Sequence, residues 1–468
     1  MRSLGYFFLY LFSVGNAWAS SLIDDRLFKN VNDNGAVSGG ISTVILQDKD
    51  DVIWIGTQHG LLRYDGYQFL KYEANSDVPN TLSGNYIRSL AIAPDGRLWI
   101  GTLSSGLSIY NPKTDTFENF RHNPKNPNSL SNDRIDAIAI NSQGGVWLGT
   151  NNGLDYWHPQ QRKFVHYPHI EGNKNTPNDN HIRSLLIDNE DNLWVGSWKG
   201  LNKLSSNSNE FSSLFEHKDS AVNLTNKNVL RLFQDDTGLI WFGTPEHGGG
   251  WFDKKTNQLH WLPLKKEQQL SMAHAWVTGI AQVSKQELWM ATYGGGINVI
   301  DRQTKKIIRH ISHDSSIPSS LGSDEIGPLF RDNSGLVWVG TWGAGIQQYN
   351  ATNQAFKMYR HSAERKNALS HKNVLSMLED ENGWRLCPVY DVVPEEDFYS
   401  EHAIAFNGSK FLPKFSDAMN TGKLLGVKKS DCIDAIKKIE EALAAWPSLL
   451  QQVGIEDERL LSLPNRHH

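Results

Sequence analysis

Five side chains in this 468-residue chain have the type and placement to recognise a polar molecule: His59, Trp198, His247, Tyr293 and Trp342. Each lies one to three residues beyond a W-x-G-T motif or a close variant of it. Indole and phenol rings stack on the apolar faces of ring compounds, and an imidazole adds hydrogen bonds. Other copies put Leu103-Ser104 or Asn151-Asn152 in the same turn. The position is therefore fixed while the side chain varies, which is how a rigid scaffold carries binding on its loops. The expected ligand is a small polar solute or an oligosaccharide. A protein partner is the other occupant such a face could take.

Other chemistries find less support. Asp48-Lys49-Asp50-Asp51, Asp188-Asn189-Glu190-Asp191 and Asp235-Asp236 could offer oxygen ligands to calcium. They return with the repeat and have no Glu at a fixed distance, so they read as carboxylates capping tight turns. The seventeen His and two Cys show no zinc spacing, and there is no G-x-S-x-G or G-x-x-x-x-G-K-[ST]. Gly-Gly-Gly at 248–250 and 294–296 precedes no helix and cradles no phosphate. No catalytic residue, metal or cofactor is expected. A propeller enzyme, the alternative, needs carboxylates or a His/Asp set converging on a central channel.

The element that must position the five turns is a repeat. The motif stands at Trp54-Ile55-Gly56-Thr57, Trp99-Ile100-Gly101-Thr102, Trp147-Leu148-Gly149-Thr150, Trp194-Val195-Gly196-Ser197, Trp241-Phe242-Gly243-Thr244, Trp289-Met290-Ala291-Thr292 and Trp338-Val339-Gly340-Thr341. Successive Trp are 45, 48, 47, 47, 48 and 49 residues apart. About twelve residues ahead of each Trp begins a buried run, such as Ile87–Ile92 or Ile182–Ile187. A Gly-rich turn then leads to a third strand, and a fourth carries spaced aromatics: Phe69 and Tyr72, Phe117 and Phe120, Phe356 and Tyr359. Four strands per unit of this length make a propeller blade. A lone blade cannot bury both faces, so the Trp column belongs between blades rather than to a sugar platform. The turns after W-x-G-T then share one face of the disc. Residues 26–31 resemble a fourth strand without its first three. Val374–Asp380 reads as the first strand of an eighth copy that breaks off near Gly383. The expectation is an all-β, seven-bladed β-propeller of four-stranded antiparallel blades over 26–383, followed by a small, mainly helical fragment.

Charge excludes one class of partner. Forty-six Lys and Arg against 51 Asp and Glu leave a formal net charge of −5, with no basic run, so nucleic acid is not expected. Residues 1–19 have a secretory layout: Arg2, an apolar run from Leu4 to Gly15, and Ala17-Trp18-Ala19 for cleavage. The run is too short to span ~30 Å of hydrocarbon as a helix. A periplasmic chain without a membrane span after cleavage is expected.

The seven copies resemble the two-component regulator propeller repeat over residues 26–383. That resemblance implies the extracytoplasmic sensing part of a transmembrane receptor, of the hybrid sensor kinase type, in which further repeats, a membrane helix and a cytoplasmic transmitter usually follow. None is read here, so the expectation is a sensor without its output stage. From Trp384 the texture changes. Trp384–Pro394, Glu401–Gly408 and a helical stretch from Asp431 to Trp446, with Ser430 as its N-cap, resemble the C-terminal end of a HipA-type serine/threonine kinase. The 383/384 junction reads as a fusion or a deletion scar. The resemblance implies that Asp391 stands where that family ligates magnesium on ATP. Phosphoryl transfer also needs a phosphate cradle, a Lys and a base. The propeller occupies the place of all three, so residual kinase activity is only an alternative.

Overall fold

In the computed structural model the repeat becomes seven four-stranded antiparallel sheets. The structure describes residues 28–31, 40–213, 224, 227–264, 270–315, 317, 319–350, 377–380 and 383–386, with 429, 430, 433, 434, 437, 441 and 444. The first blade has strands Ser42–Gln47, Ile53–Thr57, Gly60–Tyr64 and Phe69–Tyr72. Its innermost strand lies beside Ile87–Ile92 of the second blade. The contact passes on through Ile135–Ile140, Ile182–Ile187, Arg231–Gln234, Val277–Gln282 and Ile326–Arg331, which lies against the first blade again.

Seven apolar clusters hold the ring, one at each blade junction. Trp54 packs with Ile87 and Leu98 of the next blade, Trp99 with Ile135 and Val146, and Trp338 with Ile45 and Ile53 of the first. Six of the seven motif indoles are buried, and Trp147 is partly so. Burying one indole stabilises the ring by roughly 5 kcal/mol as an upper estimate. The motif Gly explains itself at the same place. A Cβ on Gly56 would come within 2.7 Å of Ile87, and one on Gly149 within 2.7 Å of Ile182. The motif Thr locks the turn beyond. Thr57 Oγ1 donates to the Gly60 carbonyl at 2.9 Å and accepts from the His59 N–H at 2.9 Å.

The Asp-rich turns hold these indoles. Trp54 Nε1 donates to Asp48 Oδ2 at 2.8 Å, Trp194 to Asp188 at 2.9 Å, Trp241 to Asp235 at 2.9 Å and Trp338 to Asp332 at 2.8 Å. The other oxygen accepts turn N–H groups, as Asp188 Oδ1 does from Glu190 and Asn192. One carboxylate six residues before the Trp thus caps the turn and orients the indole. The second copy has Ala93 there, and Trp99 Nε1 is buried without a partner.

The ring closes with a strand from its far end. Phe28–Asn30 pairs antiparallel with Ile346–Asn350, Phe28 opposite Tyr349, and supplies the seventh blade's outer strand. The fourth-strand character of residues 26–31 is thereby explained. The fourth strand assigned from Phe356 and Tyr359 is replaced in that role, and those two residues lie outside the described ones. Buried Phe28 packs, with tilted rings, against Trp289 and Tyr349, at ring centroid distances of 6.2 and 5.5 Å.

The chain divides into two units, and the ring belongs to the first, Met1–Tyr359 with Glu364–Asn367. In the second, Met377–Asp380 pairs with Gly383–Leu386, Glu379 opposite Trp384. This hairpin spans the 383/384 junction. The described positions between 429 and 444 are helical, and Lys429 is already in the helix, ahead of the expected cap Ser430. The leader residues 1–19, Asp391 and most of the segment compared with HipA-type kinases lie outside the described residues.

Candidate functional site

The inner strands carry one irregularity that the site depends on. In six blades an extra residue bulges at the start of the strand: Thr43, Arg88, Asp136, Arg183, Thr278 and, in the seventh blade, the Gly327–Pro328 step. A bulge breaks the in–out alternation and re-aims a side chain. All of these residues line the two cavities along the central channel, of about 260 and 220 Å³. In the fifth blade Leu230 and Arg231 take the place.

The channel is basic on one side. Arg88, Arg134, Arg183 and Arg231, from the second to fifth blades, line the larger cavity. Asp136 is the only carboxylate lining either cavity among the described residues. It accepts from Arg88 Nε at 2.9 Å, Arg134 Nε at 2.8 Å and Arg183 Nη1 at 2.6 Å. Burial alone would raise this carboxyl, but Arg88, Arg134 and Arg183 outweigh it and hold it below the usual carboxylate range. Arg231 has no ion pair among the described residues. It donates to the backbone carbonyls of Thr278 at 2.7 Å and Leu230 at 3.0 Å. Burial, reinforced by the positive charge of Arg88, holds Arg231 down to about 10.

The other side of the mouth is aromatic. Trp276, Tyr293 and Trp342 meet there, with centroids 4.9 Å apart for Trp276–Tyr293, 4.8 Å for Tyr293–Trp342 and 6.2 Å for Trp276–Trp342. Trp276 and Trp342 line the larger cavity, with Ile41, Gly327 and Pro328.

Of the five residues read from the sequence, the fold joins Tyr293 and Trp342 directly and adds Trp276, which the motif could not reveal. Trp198 lines neither channel cavity and is exposed. It stacks on His181 at 4.0 Å and 7°, and the Arg183 guanidinium lies 5.9 Å from its ring. Asp179 accepts from the His181 backbone N–H and lies 3.0 Å from its Nδ1. His59 and His247 are exposed in their own turns, and neither touches the aromatic corner. The pore arginines and Asp136 escaped the reading, although one signal was there. In four of the apolar runs the second residue is Arg88, Asp136, Arg183 or Thr278, each of them polar.

Five segments, 36–59, 81–104, 129–152, 176–199 and 223–246, match the two component regulator propeller family. The chain carries these repeats. No curated protein matches it. Among solved structures, one assigned as the extracellular domain of the hybrid two component system BT3049 from B. thetaiotaomicron is 26% identical. That match covers 76% of this chain and 46% of the other, with a TM-score of 0.62. The extracellular domain of BT4673 from the same organism, assigned to a one component system, is 25% identical over 69% of this chain and 40% of the other, at 0.54. The chain thus spans less than half the length of these two relatives. Virginiamycin B lyase from Staphylococcus aureus, 14% identical over 69% of this chain and 98% of the other at 0.50, shares the fold.

Proposed function

We propose that this propeller is the extracytoplasmic, periplasmic sensing module of a two-component receptor, binding a ligand at one mouth of its channel and catalysing nothing. The observation that carries this reading is a division of labour along the repeat. Trp, Gly, Thr and the turn Asp hold the blades and their turns, while the bulged residues, with Pro245 and Trp342 of the turns after the motif, change from copy to copy and line the channel cavities. The match to two-component regulator repeats, and the likeness to extracellular domains of such systems, support the assignment to sensing. The aromatic corner suits a small polar solute or an oligosaccharide with an apolar ring face. A catalytic carboxylate would need to exchange a proton, and Asp136 is held ionised by three guanidiniums.

A thermal-shift screen of mono- and oligosaccharides against the intact chain tests this. Saturable stabilisation is expected from at least one sugar, weakened about tenfold or more in Trp276→Ala and Trp342→Ala. Turnover of the bound compound, or binding indifferent to both substitutions, would overturn the reading.

A further inference from the structure

We propose that the basic side of the channel is an oxyanion site: it takes one carboxylate, sulfate or phosphate group of a molecule whose ring rests on the aromatic side. The inference rests on the sensing reading and deepens it by naming the ligand class.

Charge balance comes first. Four guanidiniums face one carboxylate, so the channel lining holds a formal excess of three positive charges. Asp136 is already shared among three of them. Among the described residues Arg231 donates hydrogen bonds to the Thr278 and Leu230 carbonyls and makes no ion pair. Cations drawn together away from bulk water repel one another unless an anion joins them.

Unused donors come second. Arg183 Nε, Ser42 Oγ, Thr278 Oγ1 and Trp276 Nε1, four potential donors, and one acceptor, Asn228 Oδ1, are buried without hydrogen-bond partners, and all five residues line the larger cavity. Native proteins leave few such groups unpaired, and clustering in one lining marks a place where something else is bound. Planar guanidiniums in a fixed fork match an oxyanion better than a neutral hydroxyl.

Shape completes the argument. The cationic wall comes from the second to fifth blades, and the wall of Trp276, Pro328 and Trp342 from the sixth and seventh. A ligand filling the cavity meets charge on one side and flat apolar surface on the other. An anionic sugar satisfies both; a free inorganic ion satisfies only the first.

Calorimetry on the intact chain at fixed ionic strength separates the sources, with glucuronate, inorganic sulfate, inorganic phosphate and glucose as probes. Saturable binding of glucuronate is expected, at least tenfold tighter than glucose. Arg231→Gln should abolish that preference, and Arg231→Lys should retain part of it. Asp136→Asn, which removes the resident counter-ion, should tighten anion binding several-fold; this keeps the test intact should Arg231→Gln not fold. Trp342→Ala should weaken glucuronate and leave sulfate unchanged. Inorganic ions binding as tightly as glucuronate would overturn the anionic-sugar assignment. Absence of anion binding, or equal affinity in Arg231→Gln, would overturn the oxyanion site itself. A neutral sugar captured by the aromatic corner would still uphold the sensing reading in that case.

Discussion

Arg183 and Asp136 stand 47 positions apart, on neighbouring blades, and meet at 2.6 Å in the channel. Both are bulged residues, so the pair exists only because two strands break register at the same height. It ties the third blade to the fourth, and through Arg88 to the second. The channel is thus cross-linked by charge as well as by the indoles between blades.

Removing the shared partner should be costly. Asp136→Ala leaves three guanidiniums without their carboxylate and is expected to lower stability by about 3–5 kcal/mol. Denaturant unfolding of the variant checks this. A loss below about 1 kcal/mol would mean that water or salt replaces the carboxylate.

The Asp188–Trp194 pair predicts acid sensitivity. Burial alone would raise the Asp188 carboxyl, but hydrogen bonds from Trp194, Asn192 and Lys254 hold it at about 2. A folded value below the unfolded one means stability that is present above pH ~4 and lost as pH falls toward 2. That contribution is about 2 kcal/mol. Asp188→Ala should be less stable at pH 7, and its deficit should narrow below pH 4. Parallel pH–stability curves for the two proteins would contradict this.

His166 carries the opposite sign. Its hydrogen bond to the buried Asp155, at 2.7 Å, raises the imidazole above its ordinary 6.5, with burial opposing. Stability from this pair is full below pH 6.5 and declines as pH rises through the folded value. His166→Gln should flatten that decline. Proton NMR of the ring reads the titration directly, and a midpoint at or below 6.5 would refute the pairing.

The closing strand should be felt by the whole ring. Phe28→Ala removes a buried ring from Trp289 and Tyr349, at an expected cost of about 3–5 kcal/mol. Thermal unfolding followed by circular dichroism should shift downward. An unchanged transition would show that Phe28–Asn30 is not needed for closure.

The blades were legible because their determinants are local and repeated. Trp, Gly and Thr recur at one spacing, and each acts on a neighbour at a fixed offset. The closing strand was visible as a fragment, yet its partner was not, since Phe28 and Tyr349 lie 321 positions apart and nothing local pairs them. The spaced aromatics Phe356 and Tyr359 invited a fourth strand, and a ring admits only one outer strand per blade. The aromatic corner was half readable. Tyr293 and Trp342 sit in motif turns, whereas Trp276 precedes its strand and joins them only in three dimensions. Channel residues were hidden for a different reason. A run such as Ile182–Ile187 reads as continuous core, and only a bulge turns its second residue into the channel.

That bulge has a consequence for how such proteins diversify. It accommodates Thr43, Arg88, Asp136, Arg183, Thr278 or a Gly–Pro step without altering the sheet around it. Specificity can then be rewritten one letter at a time, on a frame whose own requirements are met by other residues. A substitution at one bulge would then change the channel lining while every joint between blades stays sound.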